Sequence, residues 1–310
     1  MKIGIVGYGN LGKAVERLAI KDNRFEIVGI FSRRKVKALS PVYSMEEASN
    51  FKGIIDVMIM CGGSEKDLMT QTPFFAKNFN VIDTFDTHKN TVKHFQNVDK
   101  VCKQSQTSAI VCCGWDPGIF SCLRVLFSSV FQSVNCFYGK GISMGHTNAI
   151  KRISGVLDAK QYTIPNKKAL SFAKKGKPID FAKHNRLCYV VTNKNKKSIT
   201  KKIKDIPNYF KNEPTFVKFV SQKTLDKKHN SFAHQGQIIA TSKIENENFS
   251  LDMKMKTSSN PLFTAKIILA YSISLNQIVN AKAHRAFTPI QIPLSWLINK
   301  DNISIIKEFC

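Results

Sequence analysis

No two of the eight cysteines in this 310-residue chain stand at a C-x-x-C spacing. They are scattered at positions 61, 102, 112, 113, 122, 136, 188 and 310. This scatter gives no support for a zinc ribbon or a thioredoxin-type redox motif, so we expect no metal site. Cys112 and Cys113 are adjacent inside an apolar run, where buried free thiols are expected. Free thiols fit a reducing compartment.

Long apolar runs are also missing. No uninterrupted stretch approaches the ~18–20 residues that a helix needs to cross a bilayer. The first residues, Met1 to Val6, have the pattern of an immediate strand and not of a cleavable basic and apolar signal. We therefore expect a cytoplasmic globular protein, and the hydrophobic fraction of 43% suffices for a packed core.

Acidic residues are scarce, with 22 against 47 basic residues and a formal net charge of +25. Such an excess can indicate binding to nucleic acid or to a membrane surface. The basic residues are spread along the chain, however, in short clusters such as Lys174-Lys175-Gly176-Lys177 and Lys194-Asn195-Lys196-Lys197. We find no helix-turn-helix or basic-region motif. We interpret the charge as general lysine richness and expect neither a nucleic-acid nor a membrane partner.

Apolar runs alternate with segments of helical spacing over residues 1–118. The predicted strands cover residues 2–7, 25–31, 54–60, 80–83 and 108–113, and the predicted helices follow at 11–19, 66–77 and 90–105. Strands without polar alternation are typical of a parallel sheet that is covered on both faces. The pattern predicts an α/β fold with a Rossmann-type, doubly wound dinucleotide-binding domain.

The pattern changes after residue 118. We predict a helix over 119–130 and strands over 134–143, 187–192, 215–220 and 249–256, the last with strict apolar and polar alternation. This indicates a second, α+β domain over 119–260, built on an open mixed sheet, for substrate binding and dimerisation. An apolar face left open favours a homodimer. Asn260-Pro261 is typical of a helix start, and residues 261–310 are expected to return as helices to the first domain.

The first chemical motif is a complete G-x-G-x-x-G, Gly7-Tyr8-Gly9-Asn10-Leu11-Gly12, between a predicted strand and a predicted helix. The first glycine permits the tight turn, the second lets the backbone approach a pyrophosphate, and the third lets helix and strand pack closely. The helix N-terminus adds free N–H groups for the phosphates. The segment Cys61-Gly62-Gly63-Ser64 at the end of the third strand also suits a cofactor, although a plain turn explains it almost as well.

The end of the second strand carries Ser32-Arg33-Arg34, where an NAD site usually has an acidic residue for the ribose 2′-hydroxyl. Guanidinium groups offer forked donors to the oxygens of a 2′-phosphate. A solvated basic turn is the alternative. We predict NADP as the cofactor.

Two acidic residues follow neighbouring strands, Asp86 after the fourth and Asp116 after the fifth. Ligands of such folds bind outside the carboxyl ends of the strands. Each aspartate alone could be a loop cap. Together they can bind an ammonium group and take up its proton, so we predict both as catalytic.

These motifs resemble the meso-diaminopimelate dehydrogenase family. The resemblance rests on the glycine motif, Phe31-Ser32-Arg33-Arg34, Asp83-Thr84-Phe85-Asp86, Cys113-Gly114-Trp115-Asp116-Pro117-Gly118-Ile119-Phe120-Ser121, Gly139 to His146, Gln161 to Pro165, Arg186, Ala233-His234 and Asn260-Pro261. It covers nearly the whole chain in order. The G-W-D-P-G run is far more specific than the glycine motif.

The resemblance implies roles for individual residues. Asp86 and Asp116 would lie at the D-configured centre with Trp115 beside the substrate, while Thr163, Arg186, His234 and Asn260 hold the distal L-centre, mainly through its carboxylate. Cofactor contacts are also expected from Asp83, Thr84, Cys113, Gly114, Trp115 and Pro117. The sequence departs from the family at Tyr138, where tryptophan is usual, at Met144 before Gly145, where glutamine is common, and at Asn148, where aspartate is common. Tyr138, Met144 and Gly145 are counted as pocket residues.

The implied reaction is the NADP-dependent oxidative deamination of the D-centre of meso-2,6-diaminopimelate to L-2-amino-6-oxopimelate, in lysine biosynthesis. Reductive amination with ammonia is its reverse. Three alternatives stay open at this point. The first is a broader NADP-dependent D-amino-acid dehydrogenase, the second is a protein like dihydrodipicolinate reductase or homoserine dehydrogenase, and the third is an NADP-sensing regulator that binds nucleic acid.

Overall fold

The computed structural model describes residues 1–207 and 209–310. Its residue contacts divide the chain into one unit of Met1–Val125 with Pro261–Cys310 and a second unit of Leu126–Asn260. The second unit is thus inserted in the sequence of the first. The first unit extends through Val125, past the boundary that the sequence analysis set at residue 118.

The strands are β1 (Lys2–Val6), β2 (Glu26–Phe31), β3 (Val42–Tyr43), β4 (Val57–Met60), β5 (Val81–Asp83), β6 (Ala109–Ile110), β7 (Ser133–Tyr138), β8 (Gly141–Ile142), β9 (Val156–Pro165), β10 (His184–Thr192), β11 (Thr215–Phe219), β12 (His234–Ile244), β13 (Glu247–Thr257) and β14 (Ala286–Phe287). The α-helices are α1 (Asn10–Ala19), α2 (Met69–Ala76), α3 (Thr91–Ser105), α4 (Ile119–Ser128), α5 (Met144–Lys151), α6 (Lys167–Lys174), α7 (Lys196–Lys204), α8 (Gln222–Lys228), α9 (Asn260–Asn280) and α10 (Asn302–Phe309). Short 3-10 or π turns cover Glu46–Phe51, Ser64–Leu68, His88–Asn90, Pro289–Gln291 and Leu294–Leu297.

The first unit is built on one seven-stranded sheet in the order β14-β6-β5-β4-β1-β2-β3. All neighbouring pairs in it are parallel. Strands such as β4 are buried along their whole length, because helices cover both faces. The predicted Rossmann-type fold is confirmed. The strand order reverses between β1 and β4, and at such a switch point open α/β sheets bind their ligands.

The fifth predicted strand is shorter than expected. The sequence pattern extends it from residue 108 to 113, but β6 ends at Ile110. Cys112 has a left-handed backbone with φ of 60°, and its N–H donates to the Asp83 Oδ1 at 2.9 Å. A side-chain acceptor therefore replaces the regular ladder where the chain turns towards residue 116.

The second unit contains two sheets, where the sequence predicted one open mixed sheet. One sheet has the order β11-β10-β9-β8 and is mixed, because β10 pairs with β11 in parallel and with β9 antiparallel. The other has the order β13-β12-β7 and is antiparallel. The strong alternation predicted at 249–256 is found in β13, where Asp252 is exposed and Met253 half-buried.

The helix α9 is long and apolar enough to span a bilayer by length and composition alone. Half of its apolar window is buried inside the fold. Its residues Ile268, Tyr271 and Leu275 are almost fully buried. A helix in the core of a folded domain can have the same length and composition, and the burial of α9 is that of a core helix.

Candidate functional site

The glycine motif forms a tight connection between β1 and α1. Gly7 has a φ of +89°, which an L side chain rarely adopts, and its N–H donates to the Phe31 carbonyl at 2.9 Å. A Cβ on Gly12 would lie 2.2 Å from the Gly7 carbonyl oxygen, whereas a Cβ on Gly9 would meet no atom of the described residues within 4 Å. Gly9 is the N-cap of α1 and brings no side chain to its N–H groups. This cradle fits a pyrophosphate.

The buried carboxylate of Glu16, which the sequence analysis missed, binds Tyr8 of the glycine motif. The Tyr8 hydroxyl donates to Glu16, which also accepts N–H bonds from Leu39 at 3.0 Å and Ser40 at 2.8 Å. Burial opposes the charge of Glu16, but these hydrogen bonds outweigh it and lower its pKa. Burial, with the Glu16 contact, raises the pKa of Tyr8 to about 12. Glu16 thus ties the glycine motif to the segment that follows β2.

The basic turn after β2 is joined to the loop after β4. Arg33 donates from Nη2 to Asp67 Oδ1 at 2.7 Å, and Asp67 Oδ2 accepts the Gly63 N–H at 3.0 Å. The Arg33 side chain stays 65% exposed, and Ser32 Oγ accepts the Arg34 N–H at 3.2 Å. Two predicted cofactor segments are therefore brought together by an aspartate that the sequence analysis did not single out.

The other predicted cofactor positions follow the strand ends. Burial raises the pKa of the Cys61 thiol to about 12, so the group is neutral and unreactive. Asn10 is exposed. Five further predicted positions are half-buried, namely Leu11, Gly62, Ser64, Thr84 and Pro117. The Gly114 N–H donates to the Pro117 carbonyl at 2.9 Å. Asp83 and Cys113 are fully buried, and their contacts with a cofactor stay a prediction.

The two predicted catalytic aspartates follow the paired strands β5 and β6. Asp86 is exposed, and its N–H donates to Ser64 Oγ at 3.1 Å. The Asp116 side chain is only 4% exposed. Its Oδ1 lies 2.9 Å from Arg124 Nη2, and its Oδ2 accepts from Arg124 Nη1 at 3.1 Å. The arginine comes from α4 and was not foreseen, and it makes the two carboxylates unequal.

Trp115, predicted beside the substrate, is 7% exposed. Its ring packs edge-on against Phe120 with the ring centroids 5.1 Å apart. This contact fixes the ring next to Asp116 along the chain. Among the described residues no group of three or more His, Cys, Asp or Glu side chains is placed to hold a metal ion.

The distal residues come together in the second unit through strand register. Thr163 lies directly opposite Arg186 on one side and Gly141 on the other. Arg186 Nη1 donates to Thr163 Oγ1 at 2.9 Å. The His234 ring lies against Gly141, where an added Cβ would be 2.5 Å from the ring. Arg186, Thr163 and His234 therefore form one cluster, which we call the Arg186 cluster.

Arg186 has the character of a carboxylate ligand. Its side chain is 16% exposed, and Glu213 Oε2 lies 3.6 Å from its Nε. Burial lowers the pKa of Arg186, and the charge of Glu213 opposes that shift. Within the described part of the chain the buried Nε has no hydrogen-bond partner. Since buried donors are rarely left unsatisfied, the guanidinium fits an arriving anion.

Two histidines near this arginine are neutral. His184 Nε2 accepts the Tyr138 N–H at 2.8 Å, and the two rings stack with centroids 5.5 Å apart. His146 bonds through Nδ1 to Ser143 Oγ at 2.8 Å. Burial, with the charge of Arg186, lowers the pKa of His184 to about 4 and of His146 to about 3. At neutral pH the positive charge of Arg186 therefore lies beside two uncharged histidine rings.

The remaining predicted substrate residues lie on helix starts. Met144 begins α5 and is 45% exposed, and a Cβ on the following Gly145 would lie 3.8 Å from the Tyr209 ring. Asn260 begins α9, and its N–H donates to the Phe232 carbonyl at 2.9 Å. The thioether of Met144 offers only a weak acceptor where an amide is common in the family.

Acid should destabilise the protein through His184 and His146. An unfolded histidine has a pKa of about 6.5, so between that pH and the lowered native values the unfolded chain binds more protons. The contribution of each histidine to the free energy of unfolding is complete above pH ~6.5. Below that pH it decreases by at most about 1.4 kcal/mol per pH unit for each histidine. Urea unfolding at pH 7.5, 6.5 and 5 measures this slope. His184→Gln should flatten it, the exposed His88→Gln should not, and equal stability at all three pH values would contradict the expectation.

Comparison with known proteins agrees with these features. The family model for the diaminopimelic acid dehydrogenase C-terminal domain matches residues 114–259. The chain is 42% identical to meso-diaminopimelate D-dehydrogenase of Acetivibrio thermocellus over 97% of this chain and 95% of that protein. The solved structure of C. glutamicum DAP dehydrogenase in complex with DAP is similar with a TM-score of 0.95 and 32% identity, covering 100% of this chain and 99% of that one.

An engineered D-amino acid dehydrogenase bound to NADP+ is also similar, with a TM-score of 0.92 and 31% identity over 100% of this chain and 99% of that chain. Identity at these levels over nearly the full length, together with the matching fold, is sufficient to assign a family. The chain belongs to the meso-diaminopimelate D-dehydrogenase family.

Proposed function

We propose that the chain catalyses the NADP-dependent oxidative deamination of the D-centre of meso-2,6-diaminopimelate to L-2-amino-6-oxopimelate. NADP+ takes the hydride and becomes NADPH, water supplies the carbonyl oxygen, and ammonia is released; reductive amination is the reverse. The observation that carries this proposal is the likeness, over the whole chain, to a relative solved in complex with DAP. The glycine cradle and the Arg186 cluster agree with it, because they fit a dinucleotide and a carboxylate. Lysine biosynthesis is the corresponding pathway.

The reaction at the D-centre needs a group that takes up a proton. The nicotinamide of NADP+, when bound, supplies the hydride acceptor. Asp86, in the loop that follows β5, is exposed, whereas both oxygens of Asp116 contact the guanidinium of Arg124. We therefore assign proton uptake to Asp86 and a fixed negative charge, which holds the substrate ammonium, to Asp116.

The L-centre is assigned to the Arg186 cluster and Asn260. The guanidinium of Arg186 and the hydroxyl of Thr163 are held 2.9 Å apart, which presets the two donors for one carboxylate. His234 adds a ring nitrogen, and burial lowers its pKa, so it is neutral. Recognition of this end would select the stereoisomer, because only a substrate with a distal L-carboxylate is held.

NADPH formation from a panel of substrates tests the function. We expect turnover with meso-diaminopimelate, at most very slow turnover with simple D-amino acids, and none with the LL or DD isomers. Comparable turnover with simple D-amino acids would instead favour the broader D-amino-acid dehydrogenase. That alternative is supported by the exposed Met144 and by the likeness to an engineered D-amino acid dehydrogenase.

Cofactor choice should depend on Arg33 and Arg34. Replacing both by alanine is expected to weaken NADPH binding by at least about tenfold per arginine, since a hydrogen bond to a charged group contributes about 1.5–3 kcal/mol. NADH binding should stay unchanged. Fluorescence titration measures both affinities, and the exposed Lys37→Ala on the same segment is the control. A wild-type protein that binds NADH as tightly as NADPH would contradict the NADP assignment.

A homodimer and a cytoplasmic place of action are further parts of the proposal. Phe249 on the edge strand β13 is 50% exposed, and Leu251, Met253 and Met255 on the same face are half-buried. Such a face is typical of association surfaces. Light scattering should give about twice the chain mass of 34.9 kDa. The buried thiols fit a reducing compartment.

A further inference from the structure

A fully buried aspartate, Asp83, lies beneath the segments that carry both catalytic carboxylates. It ends β5, and its side chain is 0% exposed. Asp83 Oδ1 accepts the N–H of Phe85 at 3.0 Å and the N–H of Cys112 at 2.9 Å. Its carbonyl also accepts the Cys113 N–H at 2.7 Å. One residue therefore holds the backbone just before Asp86 and the backbone that leads to Asp116.

The second carboxylate oxygen is equally engaged. Asp83 Oδ2 accepts from Thr72 Oγ1 at 2.8 Å and contacts His94 Nε2 at 2.6 Å. Four donors thus surround two oxygens, which is the full capacity of a carboxylate. A buried carboxylate bonded in this way is rigid, because any rotation leaves a donor unsatisfied.

His94 contacts this carboxylate through Nε2 and packs against Phe85. The ring is 0% exposed and stacks on Phe85 with centroids 4.1 Å apart and an interplanar angle of 19°. Its Nδ1 has no hydrogen-bond partner in the described part of the chain, so the hydrogen atom of a neutral ring belongs on Nε2, facing Asp83. The histidine therefore contacts Asp83 through its donor and Phe85 through its ring face.

We propose that Asp83 and His94 are positioning residues of the dehydrogenase reaction, which set the placement of Asp86 and Asp116 through a shared backbone clamp. The proposal rests on the function proposed above. Neither residue touches the substrate, since both are fully buried. The bent backbone of Cys112, with its φ of 60°, is held by the same Oδ1 atom, so loss of the clamp would release the start of the Asp116 segment.

Two matched variants of His94 test the clamp. His94→Gln keeps a donor at the distance of Nε2, and His94→Phe keeps the ring on Phe85 but removes the donor. We expect His94→Phe to lower kcat by about 10²-fold, the effect of a misplacement of about 1 Å, with the NADPH Kd within about threefold. Hydrogen exchange at the Phe85 and Cys112 amides should accelerate. His94→Gln should restore kcat and slow exchange.

A second variant tests the clamp if His94→Phe does not fold. Thr72→Val is nearly isosteric and removes the other donor to Asp83 Oδ2. It should lower kcat by several-fold and accelerate exchange at the same two amides. This supports the clamp even when His94→Phe cannot be purified.

Several results would overturn the inference. A folded His94→Phe with wild-type kcat would do so, as would a raised NADPH Kd at unchanged kcat, which would make Asp83 a cofactor residue. Equal losses in the Gln and Phe variants would reduce His94 to a packing role. If the wild-type protein does not oxidise meso-diaminopimelate, the proposed function fails. The amide exchange rates still report on the clamp, and unchanged rates in His94→Phe refute it independently.

Discussion

Asp86→Asn is expected to lower kcat for meso-diaminopimelate by about 10²–10⁴-fold, the usual contribution of a general acid or base. The amide keeps the size of the side chain but cannot take up a proton. Asp86 is exposed, so its replacement should leave the melting temperature and the NADPH Kd unchanged. Steady-state kinetics, thermal unfolding and fluorescence titration measure the three quantities. Asp180→Asn, at an exposed position of the second unit, is the matched control.

Asp116→Asn should behave differently. Its carboxylate pairs with Arg124 and is almost fully shielded, so the amide replaces a charged partner of the guanidinium by a neutral one and should lower stability as well as activity. If Asp86→Asn retains wild-type kcat while Asp116→Asn abolishes turnover at unchanged stability, the assignment of proton uptake belongs to Asp116 instead. The pair of variants therefore separates two roles that the sequence alone left open.

Arg186→Met is expected to raise the KM for meso-diaminopimelate strongly. Loss of a buried charge-assisted contact is worth roughly 2–5 kcal/mol, which is about 30- to 5000-fold in kcat/KM. Methionine retains most of the length and leaves the Thr163 hydroxyl in place. The effect should fall on KM more than on kcat, because the contact binds the end of the substrate that does not react.

Lys197→Met on the exposed part of α7 is the control for the loss of one positive charge. A further comparison uses a simple D-amino acid that lacks the distal carboxylate. Any slow turnover of that compound should be the same in wild type and Arg186→Met. An unchanged KM for meso-diaminopimelate in Arg186→Met would refute the role of Arg186.

The sequence predicted the features that depend on local pattern. Apolar runs identified the strands of the first unit, and the glycine spacing identified a cradle in which a Cβ at Gly12 is excluded by backbone 2.2 Å away. These signals are local, since a tight turn or a buried strand restricts the residues that form it. The same is true of the alternation that marked β13.

The sequence did not predict which side chains contact one another in the folded protein. Nothing in the sequence around Asp116 shows that its carboxylate pairs with Arg124, nor that Glu16 binds Tyr8 and the segment at Leu39. These contacts depend on how each loop folds against the helix that follows it. The split of the second unit into two sheets was missed because β9 and β12 lack clean alternation: they carry buried polar residues such as Gln161 and Ser242. The Arg186 cluster was found only through family resemblance, and its basis is cross-strand register.

The insertion of the second unit delays the completion of the seven-stranded sheet during synthesis. The edge strand β14, at Ala286–Phe287, pairs with β6 at Ala109–Ile110, and the whole of the second unit lies between them in the chain. During synthesis, β6 therefore remains an unpaired edge until the second unit and β14 have emerged from the ribosome, and unpaired edges can pair wrongly in that period. Its length of only two residues limits that hazard, because so short an edge offers little for another chain to join.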